Sequence, residues 1–270
     1  MKQFYFIRCL TIALCLLLAA MGGYAQESKA EYTPTSGQAG KDVVWVPTPQ
    51  ELVDTMLDMA NVTSSDYVID LGSGDGRLVI SAAKRGATAL GIEYNPDMVE
   101  LARRAAAEAG VSERATFEQA DIFESDFSKA TVITMFLLSD LNLRLRPQIL
   151  DMKPGTRVVS NSFDMETWQA DRIETVTGDV GSYNTAYFWI VPAKVDGIWK
   201  LEGGDHISFT QNFQNVTGAI TMGKKAVELS GRLTGDKLVF TAGGTEYTGT
   251  VSGDRISGIR AGGGSWQATR

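Results

Sequence analysis

The strongest constraint on the fold of this chain is a run of three glycines at alternate positions, directly after an apolar segment. Residues 67–71, Tyr-Val-Ile-Asp-Leu, predict a short buried strand, and Gly72, Gly74 and Gly76 follow at once. A helix is predicted to continue at residues 78–85. So tight a turn needs residues without a Cβ, and the bare backbone lets a ligand approach closely. The run therefore predicts a strand, a loop and a helix of an α/β sheet that binds a ligand at the strand's carboxyl end.

Strands and helices alternate along the chain on both sides of this loop. Further strands are predicted at residues 87–93, 115–119, 130–136 and 156–160, and helices at 49–60, 95–109 and, with an interruption at Pro147, 141–152. Such alternation predicts a Rossmann-like, doubly wound α/β fold, with a parallel sheet between two layers of helices. Two later strands, at 172–177 and 187–191, have no helix of ordinary length between them and predict an antiparallel edge.

The first helix carries a start signal. Thr48 is a preferred N-cap residue, Pro49 suits the first helical position, and Glu51 lies three residues after Thr48. This is the spacing of a capping box, so we expect the Thr48 side chain to cap the helix.

The composition changes after Pro192. Glycine, threonine and serine become frequent, helical periodicity stops, and about eight short segments of alternating polarity follow, separated by turns such as Thr-Gly-Asp-Lys at 234–237 and Ser-Gly-Asp-Arg at 252–255. The chain is therefore predicted to have two domains: an α/β domain at 43–192 and a small antiparallel β domain, a meander barrel or sandwich, at 193–270.

The first 25 residues have the pattern of a secretory signal peptide. Lys2 and Arg8 precede a short apolar run, and Gly23-Tyr-Ala25 ends in small residues. We expect cleavage after Ala25, a flexible leader at 26–42, and an exported protein, periplasmic or extracellular, with no stable membrane span. If the segment were left uncleaved, it would anchor the protein in the membrane.

Cysteine positions and charge limit the chemistry and the partners of the exported chain. Both cysteines, Cys9 and Cys15, fall in the signal segment, so disulfides, a thiolate nucleophile and a cysteine metal site are excluded from the mature chain. No metal site is predicted. The net charge is −7 and becomes more negative without Lys2 and Arg8. An acidic domain repels phosphate backbones, so no nucleic-acid partner is expected.

The glycine loop could accommodate either of two cofactors. A dinucleotide fingerprint requires Gly-x-Gly-x-x-Gly, but the position of its third glycine holds Arg77. Asp70 and Asp75 would repel a pyrophosphate, whereas they suit the sulfonium and ammonium groups of S-adenosylmethionine. Acidic residues also follow the next strands: Glu93 is placed to accept from ribose hydroxyls, and Asp121 from an adenine amine. The predicted cofactor-binding residues are Asp70, Gly72, Ser73, Gly74, Asp75, Gly76, Glu93, Tyr94, Asp121 and Ile122.

These motifs resemble those of the class I, seven-strand methyltransferases. The segments that carry the resemblance are Asp70–Arg77, Glu93–Pro96 and Gln119–Asp121. Val46–Pro49 and Pro154–Ser160 extend it to the small mitochondrial-type protein-lysine methyltransferases, which modify lysines of the ADP/ATP carrier and of the c subunit of ATP synthase. The resemblance spans about residues 43–192 and leaves the C-terminal β domain unrecognised. It implies transfer of a methyl group from S-adenosylmethionine to a protein, with lysine as one acceptor, or to a small molecule.

The acceptor side of the site is less sharply defined by the sequence. Methyl transfer from a sulfonium needs alignment and exclusion of water. Candidate pocket residues are Trp45, Phe136, Leu138 and Ser139, although Trp45 and Phe136 also suit an ordinary core. No general base stands out, because His206, the single histidine, lies in the C-terminal segment. An alternative function stays open at this point: an exported, non-catalytic binding protein that retains the loop and whose β domain binds a ligand or partner.

Overall fold

The computed structural model describes residues 32–178 and 181–270. The predicted signal peptide at 1–25, and the start of the predicted leader at 26–31, lie outside the described residues. Within the described ranges, no helix is both long enough and apolar enough to cross a membrane.

Seven strands form one sheet in the order β3-β2-β1-β4-β5-β7-β6. They are β1 (Tyr67–Leu71), β2 (Thr88–Glu93), β3 (Ala115–Gln119), β4 (Val132–Met135), β5 (Arg157–Asn161), β6 (Arg172–Thr175) and β7 (Thr185–Ile190). β1 to β5 are parallel, and β7 is antiparallel to both β5 and β6. This confirms the predicted Rossmann-like sheet with an antiparallel edge.

Helices cover both faces of this sheet. They are α1 (Gln50–Met59), α2 (Arg77–Lys84), α3 (Pro96–Glu108) and α4 (Ser139–Leu150). Because successive strand residues point to opposite faces, Val68 packs with α1, α2 and α3, whereas its neighbour Ile69 packs with α4. The central strands β1 and β4 are therefore buried on both sides and mostly apolar, as their sequences predict.

Two local expectations about the helices are wrong. Pro147 does not interrupt α4, which continues through it to Leu150. Thr48 does not cap α1, whose N-cap position is Pro49 without a side-chain hydrogen bond. Thr48 is buried instead, and its hydroxyl accepts a hydrogen bond from Asn161 Nδ2 at 3.2 Å. Its side chain therefore joins the start of α1 to the end of β5.

Eight further strands close into a barrel in the order β10-β11-β12-β13-β14-β15-β8-β9. They are β8 (Gly197–Leu201), β9 (His206–Asn212), β10 (Asn215–Met222), β11 (Lys225–Thr234), β12 (Lys237–Ala242), β13 (Thr245–Ser252), β14 (Arg255–Arg260) and β15 (Ser265–Thr269). This confirms the predicted all-β region and shows it to be a barrel rather than a sandwich. Side chains fill its interior, including Trp199 and Phe240, which are almost fully buried.

The barrel is joined tightly to the α/β part. A Cβ on Gly235, in the β11–β12 turn, would lie only 2.9 Å from Gly155 Cα. Gln214 Nε2 donates to the Gln169 carbonyl at 2.7 Å, and Arg232 forms an ion pair with Asp171. Gly155 precedes β5, so this contact lies at the amino end of a parallel strand, away from the glycine loop.

Candidate active site

A cavity runs along the carboxyl edge of the parallel strands. Its lining follows the order of the strands: Asp121 and Ile122 after β3, Glu93 and Tyr94 at β2, the glycine loop after β1, Phe136–Leu138 after β4, Phe163 after β5 and Tyr183 before β7. Neighbouring strands lie about 4.8 Å apart, so the lining spans roughly 24 Å from β3 to β7. The cavity is long enough to hold a cofactor and an acceptor side by side.

Residues 38–48, here called the strap, cover one side of this cavity. Two backbone hydrogen bonds fold the strap back: Gly37 N donates to Trp45 O at 2.8 Å, and Trp45 N to Gln38 O at 2.9 Å. The Trp45 indole lies against the glycine loop, because a Cβ on Gly74 would be 2.6 Å from its Nε1. Trp45 therefore lines the cavity as predicted, and its indole lies beside the cofactor loop.

The glycine loop itself has the backbone that its sequence requires. Gly72, Gly74 and Gly76 have φ values of 78°, 53° and 81°, in the left-handed region. Gly76 lies behind the cavity, where a Cβ would be 2.7 Å from the Phe117 ring, so its role is to let α2 pack closely. Ser73 lines the cavity, and its buried Oγ has no hydrogen-bond partner among the described residues.

Asp70 is a buried carboxyl at the end of β1. It is 2% exposed, and Thr134 Oγ1 donates to its Oδ1 at 2.6 Å. Burial, and to a smaller extent the charges of Glu93 and Asp75, raise the pKa of Asp70 to about 7, against the lowering effect of the Thr134 hydrogen bond. No basic side chain among the described residues pairs with it. A cationic ligand group at this point would stabilise the carboxylate.

The Asp75 carboxylate lines the cavity and pairs with Arg77 at the start of α2. Arg77 Nε donates to both of its oxygens, at 3.0 and 3.2 Å, and Arg77 NH2 to Oδ2 at 2.5 Å. Arg77 NH1 also donates to the Thr48 carbonyl at 2.6 Å. Asp75 therefore fixes the position of Arg77, and Arg77 in turn binds the strap at Thr48. The positive charge of Arg77 compensates the negative charge of Asp75.

Glu93 connects the ends of β1 and β2. Its Oε2 accepts from Gly74 N and its Oε1 from Asn95 N, each at 2.9 Å. A carboxylate has about four acceptor positions, so two remain for the hydroxyls of a ribose diol. The backbone hydrogen bonds fix the orientation of this acceptor before any ligand is bound.

Asp121 forms an ion pair with Lys41 of the strap and accepts from Phe123 N at 3.0 Å. The Lys41 ammonium beside it holds the pKa of Asp121 below its usual range. Lys41 Nζ also lies 5.0 Å from the centre of the Tyr94 ring. No sequence pattern indicates this contact, because Lys41 precedes Asp121 by 80 positions and falls within the predicted leader.

The donors and acceptors of this cavity fit S-adenosylmethionine. The Asp70 carboxyl suits an ammonium, the Glu93 carboxylate a diol, and the Asp121 carboxylate an exocyclic amine, while Ser73 Oγ offers a further buried polar atom. These groups follow β1, β2 and β3, so a cofactor held by them would lie over that half of the sheet. The half over β4, β5 and β7 is left for the acceptor.

Two of the three candidates after β4, Phe136 and Leu138, line the acceptor half of the cavity, whereas Ser139 begins α4 outside the lining. Two further aromatic residues that were not predicted, Phe163 and Tyr183, also line it. Phe163 lies just after the carboxyl end of β5, which is the signal in the sequence that indicates its position in the site.

The barrel strands contribute no residue to the described lining of the cavity. His206, the first residue of β9, is therefore not part of the site. Among residues 32–178 and 181–270, no cluster of three histidine, cysteine or acidic residues could hold a metal ion.

Comparisons with known proteins agree with the geometry. The family model of the ANTKMT methyltransferase domain matches residues 70–172. A protein-lysine N-methyltransferase of Saccharolobus islandicus is 40% identical over 152 residues, which are 55% of this chain and 94% of that protein. The Homo sapiens lysine N-methyltransferase of the ATP synthase c subunit is 31% identical over 180 residues, covering 64% of this chain and 76% of that protein.

A solved structure is also similar. The RNA methyltransferase of Salinibacter ruber, in complex with S-adenosyl-L-homocysteine, is 47% identical with a TM-score of 0.52, and the match covers 56% of this chain and 96% of that one. These relatives are methyltransferases, which gives no support to the alternative of a non-catalytic binding protein. The chain is an S-adenosylmethionine-dependent methyltransferase of class I and belongs to the family that contains the protein-lysine N-methyltransferase of Saccharolobus islandicus.

Proposed function

We propose that this enzyme methylates the side-chain amine of lysine residues in a protein. The observation that carries the proposal is the chemistry of the acceptor half of the cavity. Among the described residues its lining is apolar and aromatic, from Phe136, Leu138, Leu141, Phe163 and Tyr183, without a histidine or carboxylate to act as a base. The names of two relatives, both lysine methyltransferases, support the same acceptor.

An amine is the acceptor that such a lining can activate. S-adenosylmethionine supplies an electrophilic methyl group: the amine lone pair forms the new N–C bond as the C–S electron pair moves to sulfur. The lysine must therefore be neutral when it attacks. Burial against apolar side chains disfavours its charged form and lowers its pKa, which supplies neutral amine without a protein base. Tyr183 and Leu138 are 40% and 42% exposed, so protons can pass to solvent beside them.

The chain's own residues supply alignment on the cofactor side. Glu93, fixed by Gly74 N and Asn95 N, holds the middle of the cavity. Trp45 covers the glycine loop, and with the strap it keeps water from that side. Proximity and orientation of this kind account for much of the acceleration in a displacement reaction.

RNA is a second candidate acceptor, because the Salinibacter ruber relative is described as an RNA methyltransferase. The charge of this chain argues against it. The net charge is −7, and an acidic protein lacks the lysine and arginine excess with which proteins bind phosphate backbones.

The test is to incubate the purified protein with a labelled methyl donor and with protein or RNA from the source cells. We expect label in protein, recovered as methylated lysine after acid hydrolysis. Gly74→Arg, which blocks the glycine loop, is the inactive control. Label in RNA alone, or on amino acids other than lysine, would overturn the proposal.

Export is a separate part of the proposal and rests on residues 1–25 alone. If the signal peptide is used, the substrate is a protein outside the cytoplasm. Cell fractionation followed by N-terminal sequencing tests this, and we expect an exported chain that begins at Gln26. A cytoplasmic protein that retains Met1 would contradict it.

A further inference from the structure

We propose that Phe136, Phe163 and Tyr183 form an aromatic wall that holds the methylated product as an alkylammonium cation, so that it stays in the cavity, loses a proton to solvent beside Tyr183 and, as a neutral amine again, accepts a further methyl group. This inference rests on the proposed function, since it concerns the amine acceptor of the same site. It assigns specificity for the methylation state to Phe163 and Tyr183.

The three rings contact one another at the acceptor end of the cavity. Their centres are 6.2 Å apart for Phe136–Phe163, 5.2 Å for Phe136–Tyr183 and 6.0 Å for Phe163–Tyr183. These distances leave no room for a ligand between the rings, so they form a wall and not an enclosing cage. All three residues line the cavity, and Tyr183 is 40% exposed.

The strand order explains why these rings meet. Phe136 follows β4 and Phe163 follows β5, and β4 and β5 are neighbours. Tyr183 precedes β7, which is antiparallel to β5, so the start of β7 lies at the same edge as the end of β5. Ser162 N donates to Thr185 O at 2.7 Å and joins the two segments directly.

The backbone before Phe163 is strained, and buried polar groups hold it. Ser162 has φ of +58°, unusual for a residue other than glycine, and Phe163 N donates to Asn161 O at 2.7 Å. The Phe163 carbonyl accepts from Ser160 Oγ at 2.6 Å and from Asn142 Nδ2 at 3.0 Å. Strained backbone persists where the surroundings fix it, often at ligand sites. Here it directs the Phe163 ring into the cavity.

A wall of aromatic rings suits a cation whose hydrogens are being replaced by methyl groups. A ring face attracts an ammonium electrostatically and needs no N–H donor to do so. Each added methyl group removes a donor and adds apolar surface, so the more methylated amine loses less hydration on binding. Among the described residues that line this half of the cavity there is no carboxylate, which would bind the N–H groups of an ammonium and so favour the less methylated forms.

A binding measurement tests the wall independently of catalysis. Tetramethylammonium is titrated into the protein with S-adenosylhomocysteine present, followed by NMR, with tert-butanol, an uncharged molecule of similar size, as the comparison. We expect the cation to bind more tightly than the neutral probe. Phe163→Leu keeps apolar bulk without a ring, and we expect it to weaken cation binding about tenfold while neutral-probe binding and the melting temperature change little.

Matched variants separate the aromatic ring from other properties. Phe163→Tyr and Tyr183→Phe keep both rings, so we expect near wild-type cation binding. Tyr183→Leu should resemble Phe163→Leu. On a lysine substrate, the leucine variants should accumulate monomethyl-lysine by mass spectrometry, whereas the wild type proceeds to higher states.

The outcomes distinguish this inference from the proposed function. A wild type that binds tetramethylammonium through the wall but methylates no lysine would contradict the proposed function and leave the wall standing. Equal binding of cation and neutral probe, or leucine variants with unchanged binding and unchanged product distribution, would overturn the wall.

Discussion

Replacing Asp70 with asparagine should stabilise the cofactor-free protein at neutral pH while it weakens cofactor binding. Burial raises the pKa of Asp70 to about 7, whereas an aspartate in an unfolded chain has a pKa of ~3.9. The protonated Asp70 side chain therefore contributes its full stabilisation of the folded state below about pH 4, and this contribution is lost as the pH rises to 7. The difference of about three units between the two pKa values corresponds to about 4 kcal/mol in the free energy of unfolding.

Asp70→Asn removes this pH dependence, because the amide stays neutral and can still accept from Thr134 Oγ1. The free energy of unfolding of the variant minus that of the wild type should rise from near zero at pH 4 to about 4 kcal/mol at pH 8. In a protein of this size, that difference raises the melting temperature by roughly 10 °C. Urea unfolding at several pH values, without cofactor, measures it.

Cofactor binding should change in the opposite direction. The ionised Asp70 carboxylate is the form that attracts a ligand ammonium, so the wild-type affinity should increase by up to about tenfold per pH unit between pH 5 and 7. Asp70→Asn should lose this pH dependence and bind roughly 10- to 100-fold more weakly at pH 8, by calorimetry.

Asp66, just before β1, is the matched control. Burial by itself would raise the pKa of Asp66, but hydrogen bonds from Thr63 N, Arg157 and Thr131 Oγ1 outweigh it and hold that pKa below its usual range. Its stabilisation is present above the unfolded pKa and is lost as the pH falls through the lowered folded pKa, so Asp66→Asn should destabilise the protein at pH 8, and the difference should shrink in acid. Parallel pH profiles for Asp70→Asn and the wild type between pH 4 and 8 would refute the reasoning.

Three further substitutions test the site and the barrel joint. Gly74→Ala places a Cβ against Trp45 at φ +53°, and we expect at least tenfold weaker cofactor binding by calorimetry without loss of the fold. Lys41→Ala removes the partner of Asp121, and because that pair is exposed to solvent, the urea midpoint of unfolding should hardly change. Gly235→Val, with φ +60° and little space at the joint, should lower the melting temperature by several degrees and leave cofactor affinity unchanged.

The parts of the fold that depend on local pattern were predictable from the sequence. The strands of both regions follow from periodicity and turn residues, and the glycine loop follows from its own spacing. Closure of the barrel was not predictable, because it rests on two register pairs between β15 and β8, Ala268 with Leu201 and Thr269 with Lys200. Residues so far apart in sequence leave no periodic signal of their pairing.

The candidate site divides in the same way. Asp70, Glu93 and Asp121 end successive strands, so one rule of α/β sheets located them together. The same rule does not locate Tyr183, because this residue precedes its strand. Tyr183 reaches the same edge of the sheet only because β7 is antiparallel to β5. The rule does not locate Lys41 either, because the strap is not connected to the end of any strand of the sheet.

β1 shows why burial alone does not identify a functional carboxyl. Asp66 immediately precedes this short strand and Asp70 lies near its carboxyl end, and they are only 7% and 2% exposed. Arg157 and the hydrogen bonds from Thr63 and Thr131 compensate the charge of Asp66, so this charge stabilises the fold. Asp70 accepts one hydrogen bond, from a hydroxyl, and lies near the charges of Glu93 and Asp75. Ionisation of Asp70 therefore destabilises the folded protein. A selection for stability alone favours an uncharged residue at 70, and a carboxyl there is explained by a cationic ligand.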